Sequence, residues 1–128
     1  MKILIVDDNK DISDLLENII SESFQVQEVI VSNHGAEALL ACMKHTFDLI
    51  VTDYEMPVIN GMEFLSILRN LQIPNQSVPV IFLSAFVPII QDSAKVYENV
   101  FFIDKPVEFN KFLKLISILI KSPIRKII

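Results

Sequence analysis

One cysteine, two glycines and no apolar run near the length of a membrane span are the chain's most restrictive features. A lone Cys42 allows neither a disulfide framework nor a cysteine metal site, and reads as a small buried hydrophobe. No stretch approaches the about 20 apolar residues that a spanning helix needs. Met1-Lys2 runs directly into an apolar strand without a signal-peptide pattern, so a reducing, cytoplasmic setting and an N-terminal position are expected. A net charge of −5 weighs against nonspecific nucleic-acid binding. There is no internal repeat, low-complexity segment or interdomain linker. The 128 residues, 52% of them hydrophobic, suit one folded domain rather than a disordered chain. Residues 121–128 read as the possible start of a tail or linker.

What is present is a pattern of short apolar runs, several ending in charge. Ile3-Leu4-Ile5-Val6 runs into Asp7-Asp8, and Leu49-Ile50-Val51 delivers Asp53. Such runs read as buried strands with charged tips. Further strands are expected at Glu28–Val31, Val80–Leu83 and Val100–Ile103. Between them lie helical patterns. The first carries Ile12, Leu15, Leu16, Ile19 and Ile20, capped by Asn9 or Asp11, and the second runs from Gly35 to near His45. Asn60 is the expected cap of a third helix bearing Phe64, Leu65 and Leu68, after a loop through Pro57. Pro88 should open a fourth helix that stops near Asn99, and Glu108–Lys121 should form the last. Alternating strands and helices predict an α/β doubly wound parallel sheet, with ligands binding beyond the strands' carboxyl ends. Asp7, Asp8, Asp53, Ser84 and Lys105 all fall at that edge.

Three carboxylates brought to one edge repel one another unless a cation is present. An all-oxygen cluster is the ligand set of a hard metal, Mg²⁺ above all. That points to phosphoryl chemistry.

In order and spacing, four features resemble the receiver domain of two-component response regulators over nearly the whole chain. They are Asp7-Asp8, the stretch from Asp53 through Met56-Pro57 to Gly61, Ser84-Ala85, and Lys105-Pro106. The resemblance implies five strands in the flavodoxin-like order 2-1-3-4-5. It implies that Asp53 accepts a phosphoryl group from a sensor histidine kinase or phosphotransfer protein. Mg²⁺ would be held by Asp8, Asp53 and the Glu55 carbonyl, with Asp7 acting through water. Lys105 would pair with Asp53 and then with the phosphoryl group, across a cis Lys105–Pro106 bond. Ser84 would donate its hydroxyl to the phosphoryl oxygens, and Phe102 would be the switching aromatic, with a core Phe as the competing reading. Glu55 and Phe86 would flank the path of hydrolytic water. The implied role is a phosphoacceptor signalling domain that catalyses its own phosphotransfer and slow autodephosphorylation.

Output is expected through helix four, strand five and helix five, toward a downstream protein or a second copy of the chain. Helix five holds more apolar residues than one stripe needs, so part of Leu115, Ile118 and Leu119 should face outward. Lysines and Arg125 crowding residues 105–126 form a solvated face or a basic rim. His34 and His45 read as ordinary helix-end residues. Glu98-Asn99 and Val107 depart from the family pattern, and neither touches the acidic cluster.

Competing classes fit less well. A nucleotide- or flavin-binding module would want a small or Gly-rich loop after strand one, where Asp7-Asp8-Asn9 stands. An aspartate-nucleophile phosphatase would want a cap insertion. A receiver module of a larger regulator or hybrid kinase, and a phosphorylation-independent interaction module, remain as alternatives.

Overall fold

The computed structural model describes residues 1–125; residues 126–128, including Lys126 and the end of the expected tail, lie outside the described residues. Five parallel strands are β1 (Lys2–Val6), β2 (Glu28–Ser32), β3 (Leu49–Asp53), β4 (Val80–Ser84) and β5 (Val100–Asp104), ordered β2-β1-β3-β4-β5. The helices are α1 (Lys10–Ser23), α2 (Gly35–Lys44), α3 (Gly61–Asn70), α4 (Val87–Ile90) and α5 (Phe109–Ile120).

The central strands are apolar on both faces because both are covered. Ile3 and Ile5 of β1 face a core made with Leu16 and Ile20 of α1 and Phe112 and Ile116 of α5. Leu4 and Val6 face the opposite core, with Ala38 of α2 and Phe64, Leu65 and Leu68 of α3. The switch point lies at β1, whose neighbours β2 and β3 lead to opposite sides.

Local chemistry sets the helix starts. Asn9 caps α1 by accepting from the N–H groups of Asp11 and Ile12. Asn60 and Glu63 form a reciprocal capping box on α3. His34 and His45 cap the two ends of α2, the first through its ring Nδ1. Gly61 is required by close approach, since a Cβ there would lie 2.7 Å from the Phe82 ring and 2.8 Å from Tyr54.

One expectation needs correction. The fourth helix does not reach Asn99: it is one turn, followed by backbone bonds three residues apart, such as Ala94 N–H to Gln91 and Tyr97 N–H to Ala94. Residues 91–97 offer only Ala94, Val96 and Tyr97 as apolar groups, too few for a continuous stripe, and Val96 is exposed. Pro88 in the first turn and left-handed Asn99 (φ 58°) stand as expected. Part of the apolar surplus of α5 faces outward, as expected. Leu115 and Leu119 pack partly buried on the α1–α5 core alongside Ile124, and Ile118 alone of the three is well exposed. The tail returns to α1 through a bond from Arg125 N–H to Ser23 O of 2.6 Å.

Val58 sits at φ 68°, in a three-residue turn closed by Ile59 N–H to Pro57 O at 2.8 Å. A β-branched residue is costly there, by roughly 1–2 kcal/mol, and the side chain is 96% exposed, so it gains nothing from packing. Glycine removes that cost and gives back about 0.5–1 kcal/mol in chain entropy. Val58→Gly is therefore expected to raise stability slightly, by up to about 1 kcal/mol, measurable as a higher urea midpoint with an unchanged m-value.

Candidate functional site

The sheet register brings the expected residues to one edge. β1 ends at Val6, paired with Thr52, so Asp7 and Asp8 leave the sheet beside Asp53 at the end of β3. Ser84 ends β4 opposite Asp104, and Lys105 follows directly, its N–H bonded to Ser84 O at 3.0 Å. Asp7 and Asp53 are buried and Asp8 is exposed. The three carboxylates each offer an oxygen within 4.8 Å of the others.

Lys105 Nζ donates to Asp53 Oδ1 at 2.7 Å. Burial pushes the Asp53 carboxyl above its ordinary value; the hydrogen bond and charge of Lys105 pull against that rise, and Glu55 adds to it. Asp7 is raised for the same first reason, desolvation. Its bond from Asn9 N–H opposes the shift, and the charges of Asp53 and Asp8 reinforce it. Burial disfavours the Lys105 ammonium, but its bond to Asp53 and the acids around it outweigh that and hold it above its usual range. One lysine thus faces a cluster of carboxylates, and their mutual repulsion is only partly relieved.

The donor set is wholly oxygen, close-spaced and partly open to solvent, which fits a hard divalent cation such as Mg²⁺. An open cleft of about 450 Å³ joins the cluster to an apolar shoulder formed by Ile12, Leu15, Val107 and Phe109. The Lys105–Pro106 bond is cis.

Ser84 and Phe102 stand differently. The Ser84 hydroxyl is fully buried and donates to the Glu55 carboxylate at 2.5 Å, while accepting from Phe86 N–H at 3.0 Å. Phe102 is half-buried on β5 and stacked on Phe82, ring centroids 5.6 Å apart; Phe82 in turn meets Tyr54 edge-on. His34 and His45 are helix caps and take no part in the cluster. The Glu55 carboxylate is the group that sequence reasoning missed, since only its carbonyl and its place beside the water path had been assigned. Its position two residues past Asp53 could have suggested it; its bond to a residue 29 positions away could not.

Comparison with known proteins shows the family. The chain is 34% identical over 122 residues to a probable transcriptional regulator, ycf29, of Pyropia yezoensis, covering 88% of this chain and 54% of that protein. It is 39% identical over 84 residues to a protein-glutamate methylesterase/protein-glutamine glutaminase of Trichodesmium erythraeum, covering 66% of this chain and 23% of that one. It thus spans about half or less of these curated relatives. Among solved structures, the chemotaxis response regulator CheY4 of Vibrio cholerae superposes with a TM-score of 0.80 at 28% identity, covering 92% of this chain and 97% of that one. A Francisella response regulator receiver domain gives 0.78 at 29%, covering 94% and 96%. Residues 3–117 match the response regulator receiver domain, and the chain belongs to that family.

Proposed function

We propose that this receiver accepts a phosphoryl group on Asp53 from a histidine kinase or phosphotransfer protein and presents an altered surface to a protein target. The observation that carries this reading is the convergence of Asp7, Asp8 and Asp53 at one sheet edge with Lys105 bonded to Asp53. Lys105 engages one carboxylate oxygen and leaves the acceptor role to the other. That oxygen forms the O–P bond as the N–P bond of a phosphoimidazole breaks. The imidazole nitrogen retains the electron pair and takes up a proton from solvent. Carboxylates are established nucleophiles for such transfers.

Asp8, Asp53 and the Glu55 carbonyl would hold Mg²⁺, with Asp7 assisting through water. When bound, the cation supplies the positive charge that offsets developing charge on the transferred oxygens. Lys105 orients Asp53 beforehand and is placed to follow the phosphoryl oxygens afterwards. The apolar shoulder at Ile12 and Leu15, each about two-fifths exposed (39% and 43%), suits a protein donor.

Output through α4, β5 and α5 rests on Phe102 of β5, on the exposed Ile89 of α4 and Ile118 of α5, and on exposed Val96 in the segment between α4 and β5. A shift in the Phe102 stack would bias that surface by population shift. The greater length of the curated relatives favours a second reading, in which the receiver is one module of a longer regulator or hybrid kinase. Intact mass after incubation with acetyl phosphate tests the common core. One added phosphoryl group is expected with Mg²⁺ and none with excess chelator; equal labelling in both would remove the metal from the scheme.

Phe86 is 53% exposed and stands at the cap position just before α4, two residues past Ser84, where its ring would hinder water approaching Asp53 in line. Phe86→Ala is expected to release phosphate several-fold faster than the parent protein. An unchanged rate would exclude steric gating at this position.

A further inference from the structure

A serine hydroxyl has one proton to donate. In this structure the Ser84 proton goes to Oε1 of Glu55 at 2.5 Å, and its oxygen is fixed further by Phe86 N–H. A hydrogen bond to an ionised carboxylate is roughly twice as strong as one between neutral groups. Ser84 is wholly buried, so its hydroxyl has no solvent to turn to if the bond breaks, whereas exposed Glu55 can swing into water. The exchange is therefore one-sided: Glu55 can leave at little cost, and Ser84 must find another acceptor nearby. The neighbouring β3 tip carries that acceptor when Asp53 bears a phosphoryl group, since Asp53 pairs in register with Leu83, the residue before Ser84.

We propose that the Glu55 carboxylate is a positioning residue, a latch that holds the Ser84 hydroxyl out of the phosphoryl site until an anion on Asp53 displaces it. The inference rests on Asp53 being the phosphoacceptor. A phosphoryl group competes with Glu55 for the same proton and repels the Glu55 charge, which already acts on Asp53 and Lys105. Both effects open the latch in the same direction. Because only the unlatched form offers the hydroxyl, the latch lowers apparent affinity for the phosphoryl group by the fraction of molecules unlatched. Glu55 thereby sets how strongly this receiver is held in its resting state.

The test is a double-mutant cycle on beryllofluoride binding, measured calorimetrically in saturating Mg²⁺, with the parent protein, Glu55→Ala, Ser84→Ala and the double variant. Loss of a charge-assisted bond corresponds to about tenfold or more in an equilibrium constant, so Glu55→Ala is expected to bind beryllofluoride about tenfold tighter. Part of that gain comes from removing a negative charge. In the Ser84→Ala background only the charge part survives, so the gain there should be smaller by at least about threefold, a coupling typical of contacting residues. Glu55→Gln, which loses the charge and keeps an acceptor oxygen, should fall between parent and alanine variant, and it keeps the test open if the double variant does not fold. Equal gains in both serine and alanine backgrounds, or a glutamine variant binding as tightly as the alanine one, would overturn the latch and leave Asp53 as acceptor. Absence of Asp53-dependent beryllofluoride binding in the parent protein would overturn both.

Discussion

In Mg²⁺, Asp8→Ala is expected to melt below the parent protein, and without the metal at or above it. Asp8 contributes negative charge to a cluster that already holds Asp7 and Asp53 within 4.8 Å. Removing it relieves repulsion when no cation is present and removes a ligand when one is. A ligand at 100 times its Kd stabilises the native state by about 2.7 kcal/mol. Loss even of an outer partner of a bound metal weakens affinity by roughly 10–100-fold, so at the same concentration the variant should gain about 1.4 kcal/mol or less. The effect depends on pH with a defined sign. Asp7 and Asp53 have folded pKa values raised above 3.8, so the native state binds more protons than the unfolded chain in the window just above that value. Metal-free stability is then lost as pH rises through that window, and Mg²⁺ affinity is lost as pH falls through it. Equal stabilisation of parent and Asp8→Ala by Mg²⁺ in thermal melts would place the metal elsewhere.

Asn75→Ala is expected to lower stability by about 3 kcal/mol, from the loss of bonds to buried partners. Fully buried Asn75, in the 3₁₀ turn Pro74–Ser77, accepts from Phe47 N–H at 2.8 Å. Its amide nitrogen donates to Cys42 O at 2.6 Å and His45 O at 2.5 Å. One side chain therefore ties the turn before β4 to the end of α2 and the start of β3. Alanine leaves a buried donor and helix-end carbonyls unpaired. For a chain of this size that is a drop in Tm on the order of 10 °C, a large share of the total stability. Asn75→Asp should not rescue it, because the retained oxygen would set a buried charge against two carbonyl oxygens. Urea unfolding of both variants checks this; a loss under about 1 kcal/mol for alanine would mean that water replaces the amide.

Asn75 also shows where sequence reading stops. In the sequence it marks a turn and nothing more, since its partners lie 28 to 33 residues away. The strands were legible because each is a short apolar run, the central three buried along nearly their whole length, and the helix starts at Asn9, Asn60 and Pro88 because capping and first-turn proline act within a few residues. The acidic cluster was legible because strand ends are local and a parallel sheet aligns them. The length of α4 was not, since turns three residues apart and a helix look alike in a polar stretch such as Gln91-Asp92-Ser93. Which part of the α5 surplus faces outward was not legible, because the packing of Ile124 on the α1–α5 core, and the bond from Arg125 back to Ser23, are tertiary facts. The carboxylate of Glu55 lies in the same category.

Chemical location of the phosphoryl group tests the assignment of Asp53 most directly. The protein would be phosphorylated with acetyl phosphate and Mg²⁺ and reduced with borohydride, which converts an aspartyl phosphate to homoserine. Digestion and tandem mass spectrometry then locate the product. Homoserine at position 53 alone, and none in Asp53→Asn, is the expected result; homoserine at position 7 or 8, or an acid-stable phosphate on Ser84, would contradict it.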